Sequence, residues 1–354
     1  MRSNADSQRT SSASGIVMVV MTLVGWSSVP LFLKHFSESI DTWTSNGWRY
    51  GFSALVWAPV LIVGLARSRL PDGLWRAALV PSTLNIGGQI CFTWAFYKID
   101  PGLVTFGLRA QIVFVSVGGY LFFASERKVI RTPGYVIGAL MVIVGVLTTV
   151  TGVGQVDATH TFGVLLALGA GLMFAGYALS VRHFMHGMHP VVAFAAISQY
   201  TAAGMIALMF TLGERAGLAA LDLPGSQFSL LLLSALIGIA LGHVFYYASI
   251  ARLGVAVSSG VIQLQPFVVT AFSAAIFGER LSPRQWVGGL LAIGGAGVML
   301  AMQHRVSRLE RATAAAMAEA IEDQIEEERA EEPVKANGAE VSPSAICSGG
   351  GAAS

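Results

Sequence analysis

Apolar residues in this chain fall into long blocks separated by short polar interruptions. A helix needs about 20 mostly apolar residues to cross the hydrocarbon core of a bilayer. Reading for that length predicts ten spans, near residues 14–34, 43–66, 74–98, 101–124, 132–152, 160–182, 190–212, 227–251, 255–278 and 284–303. Their connections are short, so neighbouring spans are expected to be antiparallel. A polar, Ser-rich arm, residues 1–13, precedes the first span. No clear small-residue cleavage site follows that span, which is read as a retained helix and not as a removed signal.

Two of the interruptions echo each other. "FASERKVIRTP" begins at Phe123 and "IFGERLSPRQW" at Ile276, which places Glu126-Arg127 and Glu279-Arg280 153 positions apart. The echo extends upstream: "GIVMVVMTLVGWSSVPLFLKHF" from Gly15 parallels "GVLLALGAGLMFAGYALSVRHF" from Gly163, with Lys34 answering Arg182 at an offset of 148. Residues 14–152 and 160–303 are therefore two copies of a five-span unit. Five is odd, so the second copy enters the membrane from the opposite face. Inverted repeats of this kind let the two halves of a transporter exchange conformations and move the access route from one face to the other.

Charge orients the chain. One side carries thirteen Lys and Arg residues, from Arg2 and Arg9 through Arg127, Lys128 and Arg182 to Arg311; the other carries five, Lys34, Lys98, Arg215, Arg280 and Arg284. Cytoplasmic loops hold the positive excess, so both termini are expected in the cytoplasm of a multi-pass cell (inner) membrane protein. Composition agrees with the class. Hydrophobic residues make up 54% and charged residues 12%, about half the charge of a soluble domain. Cys91 and Cys347, one in an apolar run and one in the tail, suggest neither a disulfide framework nor a thiolate metal site.

The ten-span layout, the five-plus-five halves and the paired "SER" and "GER" after spans four and nine resemble the EamA family of the drug/metabolite transporter superfamily. The resemblance covers Gly15 to Gln303. It implies a basket of ten helices that moves small metabolites, often amino acids or their derivatives, by alternating access.

Small residues mark packing lanes, because helices in lipid associate by close backbone contact. Gly134 and Gly138 make one in span five, Gly288, Ala292 and Ala296 one in span ten, and Ala167, Gly171 and Ala175 one in span six. Pro30 and Pro266 each remove a hydrogen bond from the carbonyl four residues back, at Trp26 and Ile262. Such a carbonyl must find another partner or line a cavity.

Every acidic side chain of the body lies in a terminus, a loop or a span end, yet two arginines lie inside spans. A charge at the bilayer centre costs several kcal/mol unless it faces water or a partner. Arg49 is near the outer end of span two, where it can snorkel to the interface. Arg109 is deeper in span four; it either ties broken helices together or meets an anionic substrate. Other polar and ring side chains group at similar depth: Trp26, Asn85 with Gln89, Tyr177, Gln199, His243 with Tyr246 and Tyr247, and Gln263 with Gln265. Together they are expected to form a central polar pocket with aromatic walls. Its candidate substrate-binding residues are Trp26, Arg49, Asn85, Gln89, Arg109, Tyr177, Gln199, His243, Tyr246, Gln263 and Gln265. His243, the one histidine away from a span end, is the candidate proton carrier.

Other signals point to little. His183, His186 and His189 recur at three-residue spacing, but in a loop with no carboxylate nearby, so no metal is expected. No Walker loop, dinucleotide fingerprint or nucleophile elbow occurs, and no cofactor or catalytic residue is expected. The basic loops suit membrane lipid and not nucleic acid. Residues 304–354 form an acidic tail, net −5 from Gln303 (five basic, ten acidic residues), expected to be helical at first and disordered from Pro333. The leading reading is a secondary transporter, permease or exporter, of a small polar metabolite such as an amino acid or other carboxylate. A membrane-embedded enzyme acting on lipid-like substrates and a receptor or scaffold signalling through the tail are the rival readings. A homodimer is compatible with the sequence.

Overall fold

A computed structural model describes residues 2–151, 158–253 and 255–331. Cys347, the tail from Pro333 and the Tyr247 side chain lie outside the described residues. Among those residues there is no strand, and each expected span is a helix. Span one is Arg2–Phe36, span two Thr42–Ala66, span three Leu74–Phe96, span four Pro101–Phe122 and span five Pro133–Val150. Span six is Ala158–Phe184 and span seven Pro190–Leu212. Span eight joins Gly225–Ala235, a π-helical turn Leu236–Leu241 and Gly242–Leu253. Span nine is broken into Val255–Ile262 and Gln265–Phe277, and span ten begins the helix Pro283–Glu331. The chain forms two units, Met1–His304 and Arg305–Ser354.

Local sequence sets most of these limits. Spans four, five, seven and ten start on proline at the first or second helical position (Pro101, Pro133, Pro190, Pro283), where its missing N–H is no loss. Asp41 caps span two: Oδ1 accepts from the Trp43 and Thr44 N–H groups, each at 2.9 Å. Its Oδ2 accepts from the Glu214 N–H at 3.0 Å, which ties the start of span two to the end of span seven. Gly278, at φ 69°, ends span nine in the left-handed conformation, which glycine adopts without a Cβ clash.

Nine helices among the described residues are long and apolar enough to cross a membrane. The third expected span falls short because Ser82, Thr83, Asn85, Gln89 and Thr93 dilute its apolar residues. Their polar groups are satisfied inside the protein: Asn85 Nδ2 donates to Thr201 Oγ1 at 3.1 Å, and Thr93 Oγ1 to Asn46 Oδ1 at 2.8 Å. The polar arm is helical from Arg2, since adding residues to an existing helix is far easier than nucleating one.

The packing follows the repeat. Span one packs on span eight and span three on span six, while span two packs on seven and span four on nine. Exchanging each span with its counterpart five places on turns the first contact into the second and leaves the other two unchanged. The small-residue lanes of spans five and ten meet each other. A Cβ on Gly138 would sit 2.8 Å from the Gly295 carbonyl oxygen, and one on Gly145 would sit 2.6 Å from that of Gly288. These two helices touch backbone to backbone.

Candidate functional site

The irregular turns of spans four, eight and nine lie around one cavity of about 630 Å³. In span four, a single turn of 3-10 helix, Leu108–Ala110, carries Arg109. In span nine the helix stops at Ile262 and restarts at Gln265, with Gln263 in the gap. Pro266 accounts for this break, since it has no N–H to continue the ladder. Arg109 joins the two irregular segments: Nη1 donates to Gln263 Oε1 at 2.7 Å and Nη2 to Gln265 Oε1 at 3.4 Å.

Pro30 acts differently. Span one stays helical through it, and the Trp26 carbonyl it deprives accepts from Gln265 Nε2 at 3.0 Å. The Trp26 indole N–H donates to the Gly238 carbonyl in the π-turn of span eight at 3.1 Å. One residue therefore links spans one, eight and nine. His243 follows the π-turn. Its Nδ1–H donates to the Ile239 carbonyl at 2.9 Å, and its ring stacks on Phe194 with centroids 4.3 Å apart. Trp26 packs against His243 and Tyr246 at 5.4 and 5.1 Å.

Arg49 does not snorkel: it is 2% exposed, and its Nε donates to Ser234 Oγ at 3.0 Å. Neither Arg49 nor Arg109 has a carboxylate within ion-pair distance among the described residues. Both reach the cavity wall, as do Trp26, Asn85, Gln89, Tyr177, His243, Tyr246, Gln263 and Gln265. Gln199 does not. Its Nε2 donates to the Ala54 carbonyl at 3.0 Å, and it lines a separate apolar recess between spans two and seven. Depth alone suggested Gln199; its helix face points elsewhere. Sequence reasoning missed Gln111, Glu126, Arg182 and Gln303, which also line the cavity. Of these, Glu126 and Arg182 stand in the repeat motifs, next to span ends, where sequence alone ties them to orientation and not to a cavity. The loop histidines find local roles: His189 Nδ1 accepts from the Val191 N–H at 3.3 Å, at the start of span seven.

The two ends of the cavity differ. Toward the end where span six and span ten finish, it reaches exposed Gln303 and the half-exposed Arg182, whose Nη1 pairs with Glu126 Oε1 at 2.5 Å. Toward the other end, Leu33, Phe36, Phe96 and Phe106 are fully buried and none of them lines the cavity, so this end is read as the closed one. Beyond them Glu279, 7% exposed, accepts from the Gly102 N–H at 3.2 Å, while Lys34 Nζ lies 3.8 Å from Asp100 Oδ1.

Burial pushes the Glu279 carboxyl up to about 7, and neighbouring Asp100 pushes the same way, against the Gly102 hydrogen bond and the Lys34 charge. A carboxyl raised above its ordinary value holds a proton that the unfolded chain releases. Its contribution to stability is full below the ordinary value and is lost as pH rises through the folded one. The melting temperature is therefore expected to fall between about pH 5 and 8. Glu279→Gln should flatten that profile, and an unchanged slope in a thermal-shift series would refute the assignment.

The sequence matches the EamA-like transporter family over residues 13–151 and again over 161–301. A solved structure described as "Crystal structure of protein" has a similar fold, with a TM-score of 0.53 at 16% identity, covering 83% of this chain and 99% of the other. No curated protein matches the sequence. With both repeats matched and most of the sequence covered, this multi-pass membrane protein belongs to the EamA-like transporter family of the drug/metabolite transporter superfamily.

Proposed function

We propose that the chain is a secondary transporter of a small anionic metabolite, a carboxylate above all, working by alternating access through the cavity. One observation carries this reading: two arginines reach a membrane-embedded cavity with, among the described residues, only neutral side chains as hydrogen-bond partners. A buried cation without a counter-charge is costly, and a substrate carboxylate supplies one. The aromatic rings of Trp26, His243 and Tyr246 give an apolar wall beside that charge. In proteoliposomes containing the full chain, uptake of a labelled carboxylate should compete with other carboxylates and not with the matching amides. Equal competition by the amides would remove the anionic substrate.

The positive excess supports cytoplasmic termini in the cell membrane, which makes the open end of the cavity face the cytoplasm. Leu218, exposed in the loop after span seven, and Arg69, in the loop after span two, fall on opposite sides. An impermeant thiol reagent on intact cells should modify Leu218→Cys and spare Arg69→Cys. The reverse pattern would invert the orientation.

A further inference from the structure

The two glutamates that mark the repeat occupy different states. Glu279 is buried and accepts from the Gly102 N–H at the beginning of span four, on the closed end of the cavity. Glu126, its counterpart 153 residues earlier, makes no such contact among the described residues; it pairs with Arg182 at the open end. The same offset carries Gly102 onto Val255, the first residue of span nine. The 148 offset carries Arg182 onto Lys34, which here is held by Asp100. Each glutamate thus has one observed partner, and the repeat offers the image of the other's partner as a second: the start of the opposite half's broken span for one, a cation at the end of the opposite half's first helix for the other.

We propose that Glu279 and Glu126 are positioning residues that seal the two ends of the cavity in turn. Glu279 on the start of span four closes one end, as seen here, while Arg182 holds Glu126 away. In the opposite state Glu126 caps the start of span nine at Val255, and Glu279 moves to Lys34. The exchange follows from inversion, because a contact made in one half at one end has its image in the other half at the other end. The two seals are not equal. Gly102 lets the chain approach closely, since a Cβ there would lie 2.6 Å from Thr270 Oγ1 and 3.4 Å from Glu279 Oε1. Val255 carries a branched side chain at the matching position. The Glu126 seal is therefore the weaker one, and the resting protein is the form with Glu279 engaged.

This rests on the transport reading for its purpose but not for its test, which needs no substrate. Purified full-length protein without cysteine (Cys91→Ala, Cys347→Ala) is given one reporter thiol and treated with a water-soluble maleimide. Thr270→Cys, at a site 2% exposed beside Gly102, reports the closed end, and Val115→Cys, on the cavity wall, reports the open end. Above about pH 8, where Glu279 is ionised, replacing the carboxylate acceptor by a neutral amide should shift the balance about 5- to 30-fold. Glu279→Gln should speed Thr270→Cys modification by that factor and slow that of Val115→Cys. Adding Glu126→Gln should return both rates toward their starting values, which general loosening of the fold would not do. Arg182→Gln, at an exposed position, frees Glu126 and should act like Glu279→Gln; it decides the matter should Glu279→Gln fail to fold. Unchanged rates in Arg182→Gln, or both thiols speeding up together in Glu279→Gln, would overturn the exchange. Reciprocal accessibility in a protein that moves no solute would instead overturn the transport reading and leave the seals standing.

Discussion

Arg109→Lys is expected to bind an anionic substrate about 10- to 100-fold more weakly than the wild type while melting within a few degrees of it. Lysine keeps the charge but loses the planar fork that meets a carboxylate with two parallel hydrogen bonds. It can still reach one of Gln263 and Gln265, so the link between spans four and nine is weakened and not abolished. Arg109→Ala goes further. It leaves the substrate charge unpaired in the membrane, at a cost of about 2–5 kcal/mol in binding, and strands two amide oxygens that now accept from it. Affinity and melting temperature measured on the same purified samples separate the roles. Unchanged affinity in Arg109→Lys with a clearly lowered melting temperature would return Arg109 to the scaffold.

The second large effect is expected where spans five and ten touch. A side chain at Gly145 would collide with the backbone of Gly288 and Ala292, and neither can turn away as a side chain would. Gly145→Ala should therefore destabilise by about 1–3 kcal/mol, the usual cost of overfilling a packed interior. Gly145→Leu should leave little folded protein in a detergent size-exclusion profile. Gly297 is the control. It lies on the same helix as Gly288 with nothing within 4 Å of an added Cβ. Gly297→Ala should be neutral or gain a few tenths of a kcal/mol from helix propensity. Equal losses at both positions would mean that backbone contact is not what holds this pair.

Much of the architecture could be read from the sequence because one force dominates it: long apolar runs need lipid, and their lengths mark the helices. The inversion followed from an odd number of spans between repeated motifs. Breaks were legible where proline causes them, as at Pro266, yet Pro30 left its helix intact because Gln265 replaces the lost donor. The π-turn at Leu236–Leu241 and the 3-10 turn around Arg109 have no comparable mark. They depend on neighbours that only the fold supplies, such as the Trp26 indole on the Gly238 carbonyl. The same limit explains Gln199 and Arg49. Distance from a span end gives depth, but the direction a side chain takes is set by which helices lie beside it.

Trp26 also has an optical consequence. The chain holds seven tryptophans, and Trp26 alone among them lines the cavity. Its indole N–H is already engaged, and an imidazole and a phenol pack against its ring. A solute settling beside Arg109 would change the surroundings of this one emitter and leave the other six in place. Intrinsic fluorescence thus gives a built-in report of occupancy, confined to a minor share of the total signal and removed by Trp26→Phe.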